Sequence, residues 1–281
     1  MTSMIKSIML SVDGSVYTDA QVKHCIRLAK AFEAMVHVLT IVDIRFVEWA
    51  SVMSTDGFVP VIPSTGYRDE SKKLLEAKAD AVLKKCAALL NEANIKFDAR
   101  KINGPPADII CDQTHLVDLL IIGARGEFAK WGSKLIGSTL DAVLRQFNKP
   151  IFITPQKFED LSKLLIAYDG SDKANKALQL AAFMAKKLQS ALAILSVGDS
   201  PQIQNRYLNE AKTYLEPYEI AAETIGSSGS PEKEILRVAK DNLCNLIIMG
   251  AFGHSRIREA ILGSTTEHVM RNSTIPLLLC K

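Results

Sequence analysis

The sequence predicts an α/β protein of two tandem domains, each a five-stranded parallel sheet with helices on both faces. Three observations predict this. The chain has 281 residues, enough for about two domains with a core each. It repeats itself once, end to end. Within each copy, short apolar runs alternate with amphipathic stretches, the pattern of parallel βαβ units.

The repeat sets the order of elements. SIMLSVDGSVYTDAQVKHCIRLAKAF matches KLLIAYDGSDKANKALQLAAFMAKKL: an apolar strand, Asp-Gly-Ser, then an amphipathic helix. HVLTIVD from His37 and LAILSVG from Leu192 are second strands. NGPPADII from Asn103 matches GSPEKEIL from Gly229, each with a proline at a helix start, where a missing N–H costs nothing. VDLLIIGARG matches CNLIIMGAFG, a fourth strand entering a glycine turn, and NKPIFITP matches STIPLLLCK, a last strand. The domains are thus 1–155 and 156–281, with a short linker, Pro155-Gln156-Lys157-Phe158-Glu159-Asp160, at the boundary.

The halves are unequal. The first carries an extra segment, Arg45 to Ser71, which mixes Trp49, Phe58 and Tyr67 with Gly and Pro and reads as a long loop. A loop of that length is either a functional lid or contact surface, or an insertion packed on the outside. The helix after it, from Glu70 to Ile95, has an apolar stripe of Leu74, Leu75, Ala79, Val82, Leu83, Cys86, Leu89 and Leu90, which is core packing.

Composition narrows the class. The chain is 48% hydrophobic and 23% charged with a net charge of +3, ordinary for a soluble globular protein. It has no run of Lys or Arg, which argues against nucleic acid or an anionic membrane as partner. No apolar stretch approaches the roughly 20 residues of a membrane span. Asp13 interrupts the apolar N-terminal run and no small-residue cleavage site follows, so this is a first strand rather than a signal peptide. Five cysteines with no C-x-x-C point to reduced thiols in a cytoplasm.

Chemistry concentrates in GAFGHSRIREAILGST, Gly250 to Thr265. It follows the buried-strand run Leu246 to Met249 and places Gly250 and Gly253 three apart. A helical stretch is expected from near His254 to Gly263-Ser264-Thr265. Strand, glycine turn and helix start present free backbone N–H groups to an anion. Glycine lets that backbone approach a phosphate without a Cβ. His254, Arg256 and Arg258 add donors and charge, and Ser264 and Thr265 add two hydroxyls.

The spacing G-x2-G-x9-G-S-T, with IIMG before it, resembles the nucleotide-binding motif of the universal stress protein family, and the resemblance covers nearly the whole chain as two tandem domains. It implies a flavodoxin-like (Rossmann-like) fold in each half. It also implies an adenine nucleotide as ligand, ATP or else ADP or AMP, with Mg2+ as a potential companion. The implied site residues are Asp169, Val197, Met249, Gly250, Gly253, His254, Gly263, Ser264 and Thr265. Asp169 would accept from adenine, Val197 would offer backbone groups, and the loop would hold phosphates and ribose. Without the motif, Asp-Gly-Ser would read as a helix cap. The resemblance further implies that the two domains pair through Ile151-Phe152-Ile153 and Leu277-Leu278-Leu279 as an intrachain pseudo-dimer, with room for a homodimer.

The first half offers a weaker second site at Asp13, Ile41, Gly123, Gly126, Gly137, Ser138 and Thr139. Its spacing, G-x2-G-x10-G-S-T, is one residue longer, and Glu127 stands where the second half has His254. A carboxylate beside a phosphate loop opposes an anion, although Arg125, Lys130 and Lys134 can offset it. The sequence lacks G-x-x-x-x-G-K-[ST] and G-x-G-x-x-G, and its five histidines show no metal-ligand spacing. Nor does it hold the S-G-G-x-D-S or H-I-G-H loop of an adenylyl-transferring enzyme. The expected function is therefore a stress-response regulator that binds nucleotide and is not an enzyme, slow hydrolysis aside. The alternative is a scaffold of the same fold that binds none.

Overall fold

The computed structural model describes residues 5–43, 65–126, 137–251 and 262–281. The first half runs β1 (Ser7–Ser11), α1 (Thr18–Phe32), β2 (Met35–Val42), α2 (Thr65–Glu92), β3 (Phe97–Asn103), α3 (Pro106–Gln113), β4 (Leu119–Gly123), α4 (Ser138–Gln146) and β5 (Ile151–Thr154). The second runs β6 (Lys163–Ala167), α5 (Asp172–Leu188), β7 (Ala191–Val197), α6 (Pro201–Leu215), β8 (Ala222–Ser227), α7 (Pro231–Asp241), β9 (Leu246–Gly250), α8 (Ser264–Asn272) and β10 (Leu277–Cys280). Strand and helix alternate as the repeat requires, and Pro106 and Pro231 open their helices.

The ten strands of the described residues form one sheet in the order β3-β2-β1-β4-β5-β10-β9-β6-β7-β8. Within each half every described pairing is parallel. The halves meet antiparallel, with Leu277 opposite Ile153, Leu278 opposite Phe152 and Leu279 opposite Ile151. This is the pairing that the resemblance implied. Both strands are buried along their whole length. Apolar on both faces, each would be an exposed edge if left alone, with unpaired N–H and C=O groups as well.

Side chains alternate across the sheet and feed two cores. Ile8 and Leu10 face one core, with Leu28 of α1, Leu90 of α2, Leu178 of α5 and Leu208 of α6. Met9 faces the other, with Ile110 of α3, Val143 of α4, Ile235 of α7 and Val269 of α8. Each core runs through both halves, which makes the pair of domains one packed unit.

Two expectations about the long segment change. Residues 65–69 belong to α2, which begins earlier than the loop reading allowed. Gly66 there costs about 1 kcal/mol relative to Ala, which a 28-residue helix tolerates. Residues 44–64 lie outside the described part. Leu74 is 72% exposed, whereas Ala79, Cys86 and Leu90 are buried. It lies about 100° round the helix from Leu75.

The linker closes over α1. Phe158 packs on the ring of His24 at 4.7 Å, with Phe152 of β5 at 5.5 Å. Arg27 Nε donates to Asp160 at 2.9 Å and Nη2 donates to the Leu188 carbonyl of α5 at 3.1 Å. Beyond it, Phe32 meets Phe183 of α5 at 5.0 Å. Burial pushes His24 down from 6.5 to about 4, against the pull of the Ala20 and Glu159 carbonyls and the Asp160 carboxylate.

Two outcomes follow for the joint between halves. Leu278→Asp buries an unpaired carboxylate opposite Phe152, so chemical denaturation should show a loss of several kcal/mol and small-angle scattering a looser domain pair. His24 makes stability depend on acid. Above pH 6.5 the ring is neutral in both folded and unfolded chains and costs nothing. As pH falls from 6.5 to 4 the unfolded chain takes the proton first, and stability drops by roughly 3 kcal/mol before levelling off. Urea unfolding between pH 7 and 4 should therefore slope less for His24→Leu than for the parent.

Candidate functional site

In each half strand order reverses between the first and fourth strands, β1 and β4 or β6 and β9, which lie side by side. Ligands of open α/β sheets bind outside the carboxyl ends at such a point. Because β5 and β10 are antiparallel, the two carboxyl edges face opposite ways, and the candidate sites lie on opposite edges of the sheet.

Asp13 and Asp169 follow β1 and β6. Asp13 Oδ1 accepts from Ser15 N at 2.9 Å and Asp169 Oδ1 from Ser171 N at 3.0 Å, so each carboxylate closes its own turn. Between them stand Gly14 (φ +75°) and Gly170 (φ +73°), a left-handed conformation open to glycine. The helix cap is a different residue: Ser171 accepts from Ala174 N at 3.2 Å and opens α5. Ile41 on β2 and Val197, ending β7, occupy corresponding partly buried places.

The first half shows how the glycine motif closes. A methyl group at Gly126 would stand 3.0 Å from Asp13 Oδ2, so the strand-one aspartate and the loop's second glycine are in contact. A methyl at Gly137 would stand 3.2 Å from Arg125 Cα and 3.5 Å from Gly126 N. Gly137 N donates to the Ala124 carbonyl at 3.3 Å. Asp13, the Gly123–Gly126 turn and the start of α4 at Ser138 and Thr139 thus converge. Glu127, Lys130 and Lys134 lie outside the described residues.

The first glycine of each motif has a packing task. A methyl at Gly123 would meet Tyr17 Cβ at 3.0 Å and the Arg125 carbonyl at 3.1 Å. At Gly250 it would meet Lys173 Cβ at 2.9 Å and Ala174 N at 3.2 Å. These glycines admit the first turn of α1 or α5 against the strand end. Tyr17 and Lys173 were not singled out in the sequence, although the repeat places them at matching positions after Asp-Gly-Ser.

At the Gly-Ser-Thr end, Gly263 is an extended N-cap (φ −63°, ψ 142°), and Ser264 and Thr265 open α8. Gly137 caps α4 in the same way. The helical stretch expected from near His254 falls on residues 252–261, outside the described residues. Serine and threonine after an extended glycine favour a helix start, and the first backbone N–H groups there have no intrahelical acceptor. Each N-terminus is a place for an anion. Each helix carries an acid in its first turn paired one turn on, Asp141 with Arg145 at 3.1 Å and Glu267 with Arg271, which offsets negative charge near that terminus. Met249 is buried one residue before Gly250. Gly253, His254, Arg256 and Arg258 lie outside the described residues. Among the described residues no group of three or more His, Cys, Asp or Glu could hold a metal, and no helix is long and apolar enough to cross a membrane.

A tandem α/β architecture, with Gly123 and Gly250 at opposed carboxyl edges, defines the class. Residues 4–155 and 202–281 match the model of the universal stress protein family. The chain belongs to that family. It is similar to the universal stress protein Slr1230 of Synechocystis sp., 31% identical over 98% of this chain and 99% of that one. It is also similar to universal stress protein YxiE of Bacillus subtilis, 34% identical over 43% of this chain and 99% of that one. Among solved structures, a universal stress protein from Archaeoglobus fulgidus superposes with a TM-score of 0.76 at 26% identity, covering 98% of this chain and 96% of that one.

The packing role of the first glycine can be measured. Gly250→Ala should cost about 1–3 kcal/mol in thermal or urea unfolding, because its methyl meets α5 backbone. Gly198→Ala, with nothing within 4 Å, should stay within about 0.5 kcal/mol of the parent.

Proposed function

We propose that this chain binds an adenine nucleotide, ATP or its relatives ADP and AMP, and acts in the cytoplasm as a stress-response regulator rather than an enzyme. One site belongs to each domain, 1–155 and 156–281. The observation that carries this reading is the contact of Asp13, Gly126 and Gly137 at the carboxyl edge, beside a helix N-terminus at Ser138. The second half repeats the same residues in the same order with Asp169, Gly250, Gly253, Gly263, Ser264 and Thr265. In this reading the helix start and the loop hold phosphates, while Asp169 and the Val197 backbone take ribose and base. Where Mg2+ accompanies the nucleotide, it takes most of its ligands from phosphate oxygens and water. Bound nucleotide shifts conformation or partner choice by its differential affinity for the alternatives.

The second site is the tighter one, since Glu127 follows Gly126 where His254 follows Gly253. Isothermal titration of the full chain tests this. Gly253→Val should weaken the tighter ATP event at least tenfold, about 1.4 kcal/mol, and Gly126→Val should leave that event in place. Asp169→Ala should weaken ATP while sparing inorganic tripolyphosphate. If Gly253→Val binds ATP as the parent does, the loop holds no phosphate and a scaffold role replaces this reading.

A further inference from the structure

The two Asp-Gly-Ser turns are roofed by different side chains. Over Gly14 lies α2: a methyl group there would meet Val82 Cγ2 at 2.6 Å and Lys78 Cε at 3.4 Å. Over Gly170 lies α6: the methyl would meet two ring carbons of Tyr207 at 2.5 and 2.7 Å. The Tyr207 ring therefore rests on the turn that follows Asp169.

Its surroundings fix the ring. The Arg206 guanidinium lies 4.9 Å from the ring centroid. Tyr168 stands edge-on to it at 6.4 Å and is itself held by Asn175, its hydroxyl donating to Oδ1 at 2.6 Å. One turn earlier on the same face of α6, buried Gln204 donates to the Gly198 carbonyl and, at 3.0 Å, to the Ser227 carbonyl. Gln204 is thus anchored at the ends of β7 and β8, and Tyr207 at the end of β6. Gln204 and Tyr207 thus lie on one face of α6 over the ends of β6, β7 and β8, with Tyr207 on the turn next to Asp169.

We propose that Tyr207 is a specificity-determining residue of the second site, the planar wall against which a purine base seats. An aromatic ring contributes stacking to a flat base, which an aliphatic side chain does not. The first half, with Val82 and Lys78 in that place, lacks the preference. This rests on the nucleotide reading above and adds base recognition to it.

The test uses the full chain carrying Gly126→Val, so that only the second site reports. ATP, CTP and inorganic tripolyphosphate are titrated against this parent, Tyr207→Leu and Tyr207→Phe. Leu keeps an apolar cover over Gly170 without a ring, and Phe keeps the ring. The Leu variant should lose about tenfold in ATP affinity, less for CTP, and nothing for tripolyphosphate, whereas Phe should match the parent throughout. Nuclear Overhauser contacts between adenine protons and labelled tyrosine ring protons, absent from Tyr207→Phe, give a second measurement in the parent itself, independent of how the Leu variant folds. Unchanged ATP affinity in the Leu variant, equal losses of ATP and tripolyphosphate, or no ring contact in the parent overturns the role of Tyr207 and leaves nucleotide binding standing. A parent that binds no ATP overturns the nucleotide reading itself, and this inference with it.

Discussion

The antiparallel pairing of β5 with β10 is the interaction on which the rest of the molecule depends. It joins two five-stranded sheets into one, and it covers two short apolar edges that neither half could leave in water. It also turns the second half over relative to the first, so that the carboxyl edges point apart. Each candidate site is therefore separate, and any influence of one on the other passes through the shared cores or along the linker lying on α1. His24 and Arg27 belong to that seam and tie α1 to the linker and, through the Leu188 carbonyl, to α5.

At each carboxyl edge, close packing shapes the site before any ligand does. Gly123 and Gly250 are small because a helix start must reach the strand end. Gly137 is small because it folds onto the backbone of the Gly123–Gly126 turn. In the first half these constraints bring an aspartate, a turn and a helix N-terminus together. The unsatisfied N–H groups at Ser138 and Ser264 are what such an arrangement has to offer an anion. The paired acids Asp141 and Glu267 sit one turn further along, with Arg145 and Arg271 offsetting them. As exposed ion pairs they add little stability, and their effect is on local charge.

Much of this was legible in the sequence because local periodicity carries it. Alternating apolar runs and stripes gave the order of elements, and the repeat gave the pairing of corresponding ones. The misreadings came where local signals compete. Gly66 looked like loop, yet a long helix absorbs one glycine. Leu74 matched the apolar stripe by type, but it lies off the face that meets the sheet.

The sequence by itself determined the α/β order, the twofold repeat, the last-strand apolar runs and the glycine motifs, since each is written in residues near one another. Tertiary structure alone decided which glycine meets a helix and which meets the Asp13 carboxylate. It alone put Tyr207 on Gly170, and it buried a polar histidine between Phe152 and Phe158. These contacts join residues far apart in the chain. Their distances follow from how helices settle on a twisted sheet, which no local pattern encodes.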